Sequence, residues 1–287
     1  MHLITFRSEP GAQAILDGAC LTPSEDDSAM VEMNNISFVR VQGLELRNYR
    51  TNDPRSVPWG IRVSGGGSHI EILNNNVHHI EQNFQRQRGS GPSTNGVGIG
   101  VYGTDARIPI SDLVIDGNEV HHFKTGASES LVVNGNVSGF RITKNVVHDN
   151  SNIGIDVIGL EKKASDPAVD RARDGVVRDN MVYDIPSKDN LVGHEPSSDG
   201  IYVDGGTRIL IERNIVHDVD YGIELASEHL EGNTSHVIAR NNLVYFCHAA
   251  GVSIGGYDAK RGTTETQSSS TTRSIATIPS KLGPVSS

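Results

Sequence analysis

Gly154-Ile155-Asp156-Val157-Ile158, Gly200-Ile201-Tyr202-Val203-Asp204 and Gly222-Ile223-Glu224-Leu225-Ala226 are three copies of one five-residue phrase. Its second and fourth positions are aliphatic while the third and fifth vary, the period-two signature of a strand with one buried face. The same phrase occurs upstream as Gly60-Ile61-Arg62-Val63-Ser64, Gly98-Ile99-Gly100-Val101-Tyr102 and Ser130-Leu131-Val132-Val133-Asn134, and downstream as Gly251-Val252-Ser253-Ile254-Gly255, making seven copies. A second phrase follows each of the first six copies, as in Ile142-Thr143-Lys144-Asn145-Val146-Val147-His148 and Ile211-Glu212-Arg213-Asn214-Ile215-Val216-His217. Its asparagines align as Asn75, Asn118, Asn145, Asn180, Asn214 and Asn242, with His78, His121, His148, Tyr183, His217 and Tyr245 three residues later.

A repeat of this kind decides the architecture before any local propensity does. The shortest spacing, about 22 residues, is the length of a minimal three-strand coil, and the longest is about twice that, so some coils carry insertions. We therefore expect an all-β fold, a single-stranded right-handed parallel β-helix of about seven to eight coils. A propeller needs four strands per unit, and the Leu-x-x-Leu-x-Leu frame of leucine-rich repeats is absent. The asparagines are expected to stack as a ladder at one turn, their amides bonding to the coils above and below. The aligned histidines belong to that ladder rather than to a metal centre, since a ligand set does not recur at every turn of a solenoid.

Composition agrees. With 31 glycines, 5% aromatics and 36% hydrophobics, the 287 residues suit a stack of thin coils better than a large spherical core. A formal net charge of −10 argues against nucleic acid or an anionic membrane as partner. Cys20 and Cys247 lie at opposite ends of the chain, too few for a disulfide framework or a cysteine zinc site, and both are expected to be buried thiols. No apolar run is long enough to cross a membrane, and Met1 leads straight into strand-like sequence with no leader pattern.

The repeats, the asparagine ladder and the opening Ile4-Thr5-Phe6-Arg7-Ser8-Glu9-Pro10-Gly11-Ala12, followed by Ile15-Leu16-Asp17-Gly18, resemble the pectate-lyase-like right-handed β-helix superfamily over residues 3 to about 266. The resemblance implies secretion or a periplasmic location, a polysaccharide partner, a monomeric full-length parent and activities that include lyases, hydrolases and epimerases. A local stretch narrows it. Asn134-Gly135-Asn136-Val137, then Asn150-Ser151-Asn152-Ile153-Gly154-Ile155-Asp156, is similar to the calcium-site region of family 9 pectate lyases. Asp156 matches that family's last calcium-ligand aspartate, while Asn152 and Ile153 stand where its paired aspartates belong. Calcium is accordingly the one cofactor expected, with Asp156, Asp199 and Asp204 as oxygen ligands.

Insertions at 83–95 and 186–199 precede the Gly-Ile strand and those at 160–174 and 227–235 follow it, so that strand is expected to floor a groove walled by loops. Its outward residues include Asp156, Tyr202 and Glu224, and coils about 4.8 Å apart put the Cα atoms of Asp156 and Glu224 roughly 10 Å apart. The candidate catalytic residues are Asp156, Tyr202, Asp204, Glu224, His229, Lys260 and Arg261. Arg62, Tyr102, Glu129, Asn134, Glu228 and Tyr257 are candidates for holding substrate, with two bland alternatives: Arg62 as a plain solvent-facing residue and Tyr102 as a ring stacked on Tyr202.

The leading expectation is a polysaccharide lyase cleaving uronic-acid polymers by β-elimination, in which Tyr202 or His229 would move the proton and Lys260 or Arg261 would neutralise the substrate carboxylate. For a glycoside hydrolase, Asp156 or Asp204 would pair with Glu224. A non-catalytic glycan-binding solenoid is the third reading, and a solvated acidic edge is the plainest. The β-helix domain is assigned to residues 1–266, truncated at both ends. The Ser/Thr-rich residues 267–287 are read as a disordered tail, a frame-shifted version of a further coil in which a one-base shift restores aliphatics, a ladder asparagine and a tyrosine.

Overall fold

The computed structural model describes residues 2–84, 94–190, 196–230, 232–256, 261–265 and 273–274. Within them every sheet is parallel and every strand pairs with its counterpart one coil away. The repeated Gly-Ile phrase forms an eight-stranded sheet, here the groove sheet, running from Asp26–Asn34 through Glu129–Gly135, Ile153–Ile158, Asp199–Asp204 and Tyr221–Ala226 to Ala250–Ile254. Each coil then passes to a second sheet, which includes Val137–Thr143 and Thr207–Glu212, and on to a third, the ladder sheet, which includes Glu119–His121, Val146–His148 and Ile215–Val219. Eight coils thus contribute to the groove sheet, one more than the seven phrases. The extra strand, Asp26–Asn34, pairs with Ser56–Gly65 and has Met30 where the phrase has glycine.

The core follows from the alternation. Ile155, Val157, Ile201, Val203 and Ile223 are completely buried, stacked on like residues along the axis. The leading glycine also points inward, and it is glycine because there is no room for more. A Cβ on Gly200 would stand 2.3 Å from Val216 Cγ1 of the ladder sheet, and one on Gly222 would stand 2.3 Å from Val244 Cγ1. Two inward positions in succession, Gly200 and Ile201, leave Asp199 facing out along with Tyr202 and Asp204.

The asparagine ladder forms as expected, at the turn between the second and ladder sheets. Asn118 Nδ2 donates to Asn145 Oδ1 at 3.0 Å, and Asn145 Nδ2 donates to Asn180 Oδ1 at 3.0 Å, while both also reach a main-chain carbonyl of the preceding coil. The preceding residue adopts the left-handed conformation in each coil, as at Lys144 (φ 54°) and Arg213 (φ 55°), which turns the chain and frees main-chain groups that the ladder amides then satisfy. Beyond the ladder, the rings of His121, His148, Tyr183 and His217 stack with centroids 4.8 to 5.0 Å apart, the spacing of the coils.

One expectation fails on a cysteine: Cys247 is buried, but Cys20 is exposed in the turn after Ala14–Asp17. Of residues 267–287 only Arg273–Ser274 is described, a short strand beside Leu243 and Val244, and the rest lie outside the described residues.

Candidate active site: a carboxylate-lined groove

Register places the candidate column on the floor of a groove. Asp156 pairs with Tyr202, and Tyr202 pairs with Glu224, so the three stand on consecutive coils in one outward file. A second file runs beside it, with Glu129 against Ile153, Ile153 against Asp199, and Asp199 against Tyr221. The groove they floor encloses about 550 Å³. Gly126, Asn190, Pro196 and Ser197 wall it on the side from which the strand enters, and Glu161 and Glu228 wall it on the other.

Each wall is held by one buried aspartate. Asp220 Oδ2 accepts the main-chain N–H groups of Ser187, Ser197 and Ser198 at 3.1 to 3.2 Å, and its Oδ1 meets His248 Nδ1 at 2.9 Å. Burial works against the Asp220 carboxylate, but these bonds outweigh it and hold its pKa below the ordinary value. Asp170 does the same for the opposite wall, accepting from the N–H groups of Lys162 and Ala164. Neither residue belongs to the repeat, and nothing in its spacing marked them.

The floor was expected to face solvent, and it points outward, but the walls cover it: Asp156 is 2% and Tyr202 is 4% exposed. This sets the electrostatics. Seven carboxylates line the groove, Glu161 among them, and among its described lining residues there is no lysine, arginine or histidine. Burial, followed by repulsion from Glu129, Asp204 and Asp199, pushes the Asp156 carboxyl well above its usual range. Asp199 is driven the same way by burial and by Glu224, with which it shares a hydrogen bond. Glu129 rises to about 8, from burial and then Glu161, and Glu228 to about 7, from burial and then Asp204. Burial also carries the Tyr202 hydroxyl far up, leaving it a proton-bearing donor and unsuited to act as a base. One oxygen each of Asp156 and Asp199 is buried with no hydrogen-bond partner.

The remaining candidates divide. Asp204 joins the floor: its Oδ1 accepts from the Glu228 N–H at 2.8 Å, and its Oδ2 lies 3.4 Å from His229 Nε2, close enough for an ion pair though not aligned as a hydrogen bond. That carboxylate raises the His229 pKa. Asn134 donates to Glu161 at 2.7 Å and so braces the wall. Arg261 stands near enough to Glu228 to moderate its upward shift.

Arg62 is not in the groove; three coils before Asp156, it pairs with Asp27 at 3.0 Å and Glu32 at 2.9 Å. Nor does Tyr102 stack on Tyr202. It packs edge-on against Trp59 at 5.0 Å and lies beneath the Lys163 ammonium at 5.1 Å, because the two tyrosines occupy different outward files. Tyr257 and Lys260 lie outside the described residues.

For calcium, Asp156 and Asp199 each offer an unpartnered oxygen, while Asp204 is engaged by Glu228 and His229. Among the described residues no three His, Cys, Asp or Glu side chains are gathered to enclose a metal ion.

A family model for the right handed beta helix region matches residues 17–264. The chain belongs to the right-handed β-helix family. This β-helix protein is 37% identical over 262 residues to the Bacillus subtilis (strain 168) protein YwoF, an alignment spanning 91% of the present chain and 53% of that protein, so the chain spans about half the relative's length. Among solved structures it is similar to a lacto-N-biosidase from Eubacterium ramulus (14% identity, TM-score 0.45, 83% of this chain and 51% of that one). It is also similar to the periplasmic alginate epimerase AlgG (12% identity, TM-score 0.41, 86% of this chain and 76% of that one). Among the described residues no helix is long and apolar enough to cross a membrane.

Proposed function

We propose that this β-helix protein is a glycoside hydrolase that inverts configuration, acting on a polysaccharide outside the cytoplasm, with Asp156 as general acid and Glu224 as general base. The observation that carries this reading is the file Asp156–Tyr202–Glu224 on the floor of a loop-walled groove. Two coil steps separate the two residues by about 10 Å at Cα, close to the ~6.5–9.5 Å between carboxyl groups that leaves room for a water beside the sugar. Asp156, buried and with one oxygen unpartnered, is suited to carry a proton to a leaving oxygen. Glu224 is less enclosed and is fixed by the Ser253 hydroxyl at 3.0 Å. Tyr202 between them donates to the sugar.

Elimination from a uronate instead needs a positive group beside the substrate carboxylate. The described cations along the wall, Lys163, His229 and Arg261, already face Glu161, Asp204 and Glu228, which favours hydrolysis.

Incubation with a panel of polysaccharides tests the reading. New reducing ends are expected from the wild type, falling by about 10²–10⁴-fold in Asp156→Asn and in Glu224→Gln, the loss typical of a missing acid or base. Unsaturated products absorbing in the ultraviolet would establish a lyase, and binding without either signal would establish a non-catalytic solenoid.

A further inference from the structure

We propose that the groove is built for a glycan bearing free amino groups, a polymer of unacetylated amino sugars, in preference to an N-acetylated or a uronic-acid chain; this rests on, and narrows, the hydrolase reading above. The lining is the starting point: seven carboxylates, with no cationic side chain among the described residues. Clustered acids alone do not make a site, since solvation can account for them. Here two of them are out of water. Asp156 is 2% exposed and Asp199 is 4% exposed, and Oδ1 of each is buried without a partner. A buried acceptor left unpaired carries its whole desolvation cost, and a charge-assisted bond from an ammonium removes it.

Among the described residues, the nearby cations do not meet this need. Lys163 lies 3.4 Å from Glu161 and over Tyr102, His229 faces Asp204, and Arg261 acts on Glu228. All three stand along the Glu161 and Glu228 wall, and the strongest influences on Asp156 and Asp199 are burial and other acids.

The two open oxygens are also set apart. Asp199 is in register with Ile153, and Asp156 with Tyr202, so they sit on adjacent coils displaced by three residues, about 10 Å along the strand. One compact ion does not occupy both ends of such a floor, in keeping with the lack of any three-ligand cluster among the described residues. A sugar chain does, with an ammonium against Asp199 and the leaving oxygen of a neighbouring linkage against Asp156. A uronate would instead bring further negative charge against the seven carboxylates, and an N-acetyl group would offer an N–H without the charge.

Proton release follows. Carboxyls that burial keeps protonated near neutrality give up protons when an ammonium binds, so binding near pH 7 should be accompanied by proton release.

The test is calorimetric titration of the wild type, at two salt concentrations and in two buffers of different ionisation enthalpy, with three oligosaccharides: an unacetylated amino-sugar oligomer, its N-acetylated counterpart, and a uronate oligomer with and without calcium. Reducing ends and unsaturated products are followed in parallel. The amino form is expected to bind at least about tenfold more tightly than the acetylated form, with proton release and weakening in salt. Asp199→Asn is expected to lose that preference, and Asp199→Ser serves if that variant does not fold.

Equal affinity for amino and acetylated forms would overturn the inference while leaving hydrolysis intact if reducing ends still appear. Preference for the amino form without any cleavage would uphold the inference and remove the hydrolase reading. Calcium-dependent unsaturated products from the uronate would overturn both.

Discussion

Asp156 illustrates what one buried acid does in this protein. It gains nothing from a basic partner, and burial with neighbouring acids holds its proton on, at the expense of the folded state at high pH. Glu129 makes the consequence measurable. Its folded pKa of about 8 lies above the ordinary 4.5, so the folded state binds more protons than the unfolded chain between those values. Its contribution to stability is complete below about 4.5 and is lost as pH rises through about 8. Glu129→Gln should therefore raise the melting temperature more at pH 8.5 than at pH 5, as read by thermal unfolding across that range. An equal shift at both pH values would show that Glu129 is not held protonated. The file containing Asp156, Tyr202 and Glu224 was legible from the alternation alone, because period two fixes which side chains point out. Their burial was not. It depends on loops whose anchors, Asp170 and Asp220, sit outside the repeat and reveal themselves only through the N–H groups they collect.

At the scale of the coil, the ladder asparagines do more than fill a turn. Asn145 accepts the main-chain N–H and the amide of Asn118 and donates to Asn180, joining three coils. Asn145→Ala leaves the Asn118 groups buried and unpaired, so about 3 kcal/mol should be lost in urea unfolding, from two or more unsatisfied groups at ~1–3 kcal/mol each. A loss under about 1 kcal/mol would mean that water replaces the amide. The neighbouring ring stack has its own pH limit. Burial, followed by His148 and His78, lowers the His121 pKa from 6.5 to about 4, so the folded coil keeps this ring neutral where the unfolded chain would protonate it. Stability from His121 is complete above about 6.5 and declines as pH falls towards 4, opposite in sign to Glu129. His121→Phe, which keeps the stacking, should reduce the loss of stability between pH 6.5 and 4.5. The strand Asp26–Asn34 escaped the sequence reading for a related reason: Met30 replaces the glycine that announces the other copies, and only Val31 and Met33 keep the alternation.

Over the whole molecule, the repeat dictates the three sheets, the ladder and the inward aliphatics, since each coil repeats the contacts of the last. The groove forms where coils depart from the repeat. The departures are the loops before Asp199 and after Ile158, and the outward acids that no packing rule requires. Arg62, in the same outward file but three coils before Asp156, is taken up by Glu32 and Asp27, while Tyr102, in the neighbouring file, packs on Trp59. Position along the solenoid thus separates groove residues from outward residues that the strand pattern makes equivalent. The most direct measurement is the diffraction analysis of Asp156→Asn crystals soaked with an amino-sugar oligomer. Sugar density along the groove, spanning residues 156, 202 and 224 with a nitrogen against Asp199, is the predicted result. Density seated instead over the cavity beside His79, His122 and Asp184, with the groove carrying only water, would contradict it.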